Sequence, residues 1–108
     1  MDEGLFKRLL LAGEDDENIS DLIAEGYLKV IDGKVLRTKK YQTEMDEFIT
    51  SKKEALYRAV EELGSAENIP QTMEAAGITD FITFIFLAEE LVAEGKLKKD
   101  ASKNCVIA

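Results

Sequence analysis

The sequence has no histidine, a single cysteine and a single proline among its 108 residues. Without histidine, neither a Ser–His nor a Cys–His nucleophile can be assembled, and no histidine-bearing zinc centre is available. The lone thiol, Cys105, can neither close an internal disulfide nor hold a structural zinc. It reads as a small apolar residue of a last strand, in a protein suited to a reducing cytoplasm. No apolar run reaches the roughly 18 residues of a membrane span, and the opening Met1–Leu10 turns acidic at once, unlike a secretion signal. Carboxylate pairs carry little meaning where Asp and Glu number 22, and the acidic run Glu14–Glu17 lacks the spacing of a calcium loop and reads as a solvated loop. The expectation is a protein that is not an enzyme and needs no cofactor or metal.

What the chain does have is ample apolar material, 45% of its residues. That is enough for one packed domain, or for two very small modules sharing a core. Net charge is −8, distributed unevenly. Residues 1–26 carry eight acids and two bases, and residues 64–95 carry six acids and no base. Positive charge is confined to two strips. One holds Lys29, Lys34, Arg37, Lys39 and Lys40 against Asp32, and the other holds Lys96, Lys98, Lys99 and Lys103 against Asp100. An acidic body repels phosphate, but local basic strips still attract it.

Each strip follows a repeated phrase. Leu22-Ile-Ala-Glu-Gly-Tyr-Leu-Lys29 recurs as Leu91-Val-Ala-Glu-Gly-Lys-Leu-Lys98, with six of eight positions identical. Both copies stand where a helix gives way to a charged extended run, which points to two related units. In the first, the apolar stripe of Leu5, Phe6, Leu9, Leu10 and Leu11 predicts a helix over about 3–12. A second helix, capped by Asn18, spans about 18–25 and buries Ile19, Leu22 and Ile23. Strands at 27–31 and 34–37 flank Asp32-Gly33, a dipeptide suited to a two-residue hairpin.

From Lys40 to Leu63 the pattern is helical, as one helix or two. Ser51 and Glu54 match a capping box, so the favoured expectation is a break near Thr50. Pro70 suits the first turn of a further helix, in which Met73 and Ala76 face inward, and Gly77 turns the chain into the most apolar helix, Thr79–Glu94. Its spacing puts Phe81, Phe84, Ile85, Ala88, Leu91 and Val92 on the buried face, with Thr79, Thr83, Glu90 and Glu94 toward water and Ile82 and Phe86 on the flank. Gly95 ends it, and 96–98 pairs with 104–107 as a hairpin.

The order helix, helix, turn, helix, hairpin over 52–108, with Ala75-Ala-Gly-Ile-Thr79 at the turn and Glu89-Glu-Leu-Val-Ala-Glu-Gly-Lys-Leu97 running into a basic ribbon, resembles the winged helix-turn-helix superfamily. The expected fold is α+β and mainly α, a three-helix body with short β-hairpin wings in two imperfect copies. Residues 1–40 form a partial module, 41–63 a shared helical connector, and 52–108 the fuller module.

The resemblance implies a nucleic-acid-binding or transcription-regulatory role, with DNA phosphates gripped by Lys29, Lys34, Arg37, Lys39, Lys40, Lys96, Lys98, Lys99 and Lys103 on the wings. Against it, the third helix offers Thr79, Asp80, Thr83, Glu90 and Glu94 and no base before Lys96, where a DNA reader presents basic and amide side chains. The strips also read as solubilising charge on edge strands. The alternative is a protein–protein adaptor or homodimer using Ile82 and Phe86 as its interface. Tandem winged-helix subunits of bacterial condensin and of membrane-trafficking complexes, to which this arrangement is loosely similar, use the fold in that way. On either reading the protein is cytoplasmic and makes no membrane contact.

Overall fold

The computed structural model describes residues 1–12 and 19–108. It is α+β and mainly helical. The elements in order are α1 (Glu3–Leu11), α2 (Ser20–Ala24), β1 (Leu28–Ile31), β2 (Lys34–Arg37), α3 (Lys39–Leu63), α4 (Ile69–Ala76), α5 (Phe81–Ala93), β3 (Leu97–Lys99) and β4 (Cys105–Ile107). The acidic loop and the proposed Asn18 cap lie outside the described residues. Two compact units divide the chain at Phe48/Ile49, within α3.

In the first unit Asp2 caps α1, its carboxylate accepting from the Leu5 amide at 2.7 Å. The amphipathic spacing buries Phe6 and Leu9 with Leu22, Tyr27, Leu28, Tyr41, Met45 and Phe48. Phe6 stacks on Phe48 with centroids 4.5 Å apart, and the buried Tyr41 hydroxyl donates to the Leu9 carbonyl at 3.3 Å, which satisfies it without solvent. The β1–β2 hairpin turns at Asp32-Gly33, where φ is +52° and +76°. Those two left-handed residues make the turn expected of this dipeptide.

The second unit packs Leu56, Ala59 and Val60 of α3 against Ala76 and Ile78, against Phe84, Leu87, Ala88 and Leu91 of α5, and against Leu97 of β3. Asn68 caps α4, accepting from the Gln71 amide at 3.1 Å, and Pro70 sits in the first turn as expected. Gly77, at φ +69°, ends α4. Its carbonyl accepts from Lys52 Nζ at 2.9 Å.

The structure departs from the sequence expectations in α3 and α5, and in α2, where Ile19 and Ile23 are only half-buried beside the buried Leu22. The helix from 39 to 63 does not break near Thr50. No glycine or proline interrupts it, and the Ser51/Glu54 pattern lies in mid-helix with Ser51 exposed. The actual cap is Thr38, whose hydroxyl oxygen accepts from the Tyr41 amide at 3.2 Å. The same hydroxyl donates to the carbonyls of Gly26 (2.6 Å) and Tyr27 (3.0 Å), so the start of α3 is tied to the end of α2.

The second correction concerns α5. Its buried residues are Thr83, Phe84, Leu87, Ala88 and Leu91. At 100° per residue this face is turned by about 70° from the one expected. The segment Phe81–Ala88 is apolar almost all round, so periodicity chose the face poorly.

Candidate interaction surfaces

The turn of α5 has a local cause. Asp80, at φ −101° and ψ 125°, caps the helix. One of its carboxylate oxygens accepts from both the amide and the hydroxyl of Thr83, each at 2.8 Å. That pairing satisfies the only polar group of the Thr83 side chain, so Thr83 is 0% exposed at little desolvation cost. The apolar residues displaced from that face point to water instead: Phe81 is 54% exposed, Ile82 43% and Ile85 40%. They stand at i, i+1 and i+4, one contiguous stripe. Of the two interface residues expected from the sequence, Ile82 belongs to this stripe, while Phe86 is half-buried and packs against the core of its unit. Phe81 and Ile85 were missed because the spacing placed them inside. The signal that could have found them is Asp80 three residues before Thr83.

At its other end α5 closes with Gly95 at φ +75°. The Gly95 amide donates to the Val92 carbonyl and the Lys96 amide to the Leu91 carbonyl, each at 3.0 Å. The first copy of the repeated phrase makes the same pair. Gly26, at φ +87°, donates to Ile23 at 3.0 Å, and Tyr27 donates to Leu22 at 2.9 Å. This is the Schellman ending. In both copies the flanking leucines, Leu22 and Leu28 or Leu91 and Leu97, are buried.

The two hairpins that follow hold their cations differently. At the second hairpin, Lys96 lies 3.6 Å from Glu94, the C-cap of α5, and Lys99 lies 3.2 Å from Glu89 within α5. Lys98 and Lys103 are exposed. Around β1–β2, Lys29, Lys34, Arg37 and Lys39 are exposed and form no ion pair among the described residues. Arg37 lies over the Tyr41 ring at 5.2 Å, and Lys40 donates to the Glu25 carbonyl at 2.7 Å beneath a 4.4 Å contact with the Tyr27 ring. Burial and the Glu44 carboxylate, which accepts from Tyr27 at 3.1 Å, push the Tyr27 phenol above its ordinary value of 10.0.

Cross-strand pairing places Lys29 opposite Leu36 and Ile31 opposite Lys34. Directly opposed residues share a face of the ribbon. That face alternates lysine with aliphatic in both directions, and all four side chains are exposed. Nothing in the sequence pattern distinguishes it from a strip of solubilising charge except the two aliphatics.

A depression lined by Thr50, Lys53, Glu54, Tyr57, Leu91, Glu94 and Lys96 lies beside the end of α5, with Glu54 paired to Arg58. Lys53 and Glu94 are paired across it. The hydrogen bond from Lys53 is the main cause holding the Glu94 carboxyl below 4.5, so the hollow has little free charge to offer a ligand. Burial raises the Cys105 thiol above 9.0, which leaves it a poor nucleophile near neutrality. Among the described residues no group of three potential metal ligands converges, and no helix is long and apolar enough to cross a membrane. No family model matches the chain, and neither a curated protein nor a solved structure shows significant similarity to it.

Proposed function

We propose that this chain is a non-catalytic, cytoplasmic protein-interaction module of winged-helix type, which captures its partner on the outward face of α5. The observation that carries this reading is the exchange of places on that helix: Thr83 is buried, while Phe81, Ile82 and Ile85 face solvent. The stripe itself, Phe81, Ile82 and Ile85, offers no hydrogen bonds to base edges. The six acids and no base of residues 64–95 repel a phosphate backbone. Aliphatic and aromatic groups in a contiguous stripe instead gain from being covered by a partner's apolar surface, at about 25 cal/mol per Å² removed from water. A photoreactive amino acid placed at Ile82 in the native host tests this. It should form a discrete protein adduct that disappears with Ile85→Asp, whereas the same probe at Lys98 forms none. Adducts with nucleic acid alone, or a protein adduct indifferent to Ile85→Asp, would reject the reading.

A second reading rests on the cations of the first hairpin. Lys29, Lys34, Arg37 and Lys39 are free of ion pairs among the described residues and could hold a nucleic-acid backbone. It requires binding to random duplex DNA that weakens steeply with added salt and collapses when Lys34, Arg37, Lys39 and Lys40 are replaced by Glu. Absence of binding at low salt eliminates it.

A further inference from the structure

The first hairpin is bare on both of its faces. From Lys29 to Arg37 every residue is exposed except Val35, which is half-buried. The strand register puts Lys29, Ile31, Lys34 and Leu36 on one face and sets Val30 beside Val35 on the reverse. Ile31 is 48%, Leu36 40% and Val30 51% exposed, so aliphatic groups meet water on both sides of the ribbon. Lys29, Lys34 and Arg37, with Lys39 just beyond, form no ion pair among the described residues. Asp32 in the turn is the one acid that the ribbon sets against them.

Each class of anionic partner makes a different demand on such a ribbon. A nucleic-acid backbone is contacted by cations and polar donors, and it leaves the exposed aliphatics in water. An acidic protein surface is rigid and covers one face of the ribbon at a time, so either Val30 or the Ile31/Leu36 pair stays in water. The surface of an anionic bilayer is fluid. It takes in aliphatic groups from both sides while headgroup phosphates meet the cations, whose long apolar stems reach back to that level.

We infer that the first hairpin is a membrane-surface anchor: Lys29, Lys34, Arg37 and Lys39 engage anionic phospholipid headgroups, and Val30, Ile31 and Leu36 insert beside them. The open cations thereby take a lipid in place of a nucleic-acid backbone, and none of these residues belongs to the α5 surface. The anionic leaflet is the cytoplasmic one, which suits a cytoplasmic protein. Among the described residues no helix can cross a membrane, and a ribbon lying in the interface needs none. A single short hairpin is a weak anchor, and the acidic remainder of the chain is repelled by the same surface. Binding is therefore reversible and falls as salt rises.

Flotation of the full chain with vesicles in about 0.1 M salt, where charges more than about 10 Å apart are screened, tests this. Wild type should bind vesicles of equal parts phosphatidylserine and phosphatidylcholine and should not bind phosphatidylcholine alone. Lys29→Glu with Lys34→Glu should weaken binding by about twentyfold or more, since each cation near the surface contributes about fivefold. Ile31→Thr with Leu36→Thr, which keeps the strand preference, should weaken it about tenfold. Lys98→Glu with Lys103→Glu makes the same change of charge on the other hairpin and should cost less than about twofold. Circular dichroism checks that each variant is folded, and Val30→Thr replaces the threonine pair if that pair disturbs the fold.

A wild type that ignores phosphatidylserine vesicles overturns the inference, as does a threonine variant that binds them like wild type. Equal losses from the two lysine pairs would mean attraction by net charge and not by this ribbon, and overturn it as well. Binding to random duplex DNA without binding to vesicles returns the hairpin to the nucleic-acid reading. None of these outcomes touches the adduct at Ile82, which reports on α5 alone.

Discussion

Leu22 and Leu91 occupy the same place in two copies of one helix ending. Each is buried, each has its carbonyl held by the amide five residues on, and each is followed by a glycine at positive φ and a leucine that starts a strand. Beyond that shared device the copies diverge. The first hairpin turns in two residues and leaves Lys29, Lys34, Arg37 and Lys39 without an ion pair among the described residues, whereas the second spans a longer loop and lays Lys96 and Lys99 against carboxylates of its own unit. The comparison teaches that the Ala-Glu-Gly phrase specifies a backbone exit, and that the surface chemistry is set by what surrounds it.

The largest effect expected from this comparison comes from the leucines. Leu22→Ala and Leu91→Ala each remove a fully buried side chain and should cost about 2–5 kcal/mol. Urea unfolding followed by circular dichroism measures both losses. Similar losses support the equivalence of the two endings, and a loss under about 1 kcal/mol at either position breaks it.

Next come the glycines. A Cβ at Gly95 meets nothing within 4 Å and one at Gly26 meets only Lys40 Cδ at 3.8 Å, so neither site is crowded. The cost of Gly26→Ala and Gly95→Ala is then that of holding alanine at φ +87° or +75°, about 1–2 kcal/mol each. A neutral substitution at one site would show that its ending relaxes out of the left-handed region.

The smallest effect concerns one carboxylate in each unit. The Arg8 side chain hydrogen-bonds Asp21 at 2.6 and 2.8 Å and is the main cause lowering its carboxyl below 3.8, as Lys53 lowers Glu94 below 4.5. A lowered folded-state value means that the contribution to stability is present above the ordinary value and lost as pH falls through the folded one. Both groups are solvent-exposed, so the contribution is slight. Carbon-detected NMR titration should find both carboxyls below their ordinary values. Lys53→Met should raise Glu94 and leave Asp21 unmoved; a Glu94 that does not respond would contradict the pairing.

How much of this was legible in the sequence depended on how local the determinant was. The Asp32-Gly33 turn, the Pro70 helix start and the two glycine endings were readable because each is decided by two or three adjacent residues. The α3 break was misplaced because a capping box has meaning only where the backbone already leaves the helix, and Ser51 sits in uninterrupted helix. The outward face of α5 was hidden for a different reason. In Phe-Ile-Thr-Phe-Ile-Phe-Leu-Ala nearly every position is apolar, so the side that faces the core is settled by packing and by the Asp80–Thr83 hydrogen bonds. The alternation of lysine and aliphatic on the first hairpin required the strand register, which places Ile31 beside Lys34 and Leu36 beside Lys29.

Everything proposed for α5 depends on which of its sides meets water. Single cysteines at Ile82 and at Thr83, each in a Cys105→Ser background and at high dilution, can be timed against a thiol reagent. The orientation described here predicts that Ile82→Cys reacts at the rate of a free thiol while Thr83→Cys is protected by orders of magnitude. Fast labelling at Thr83→Cys with protection at Ile82→Cys would contradict it.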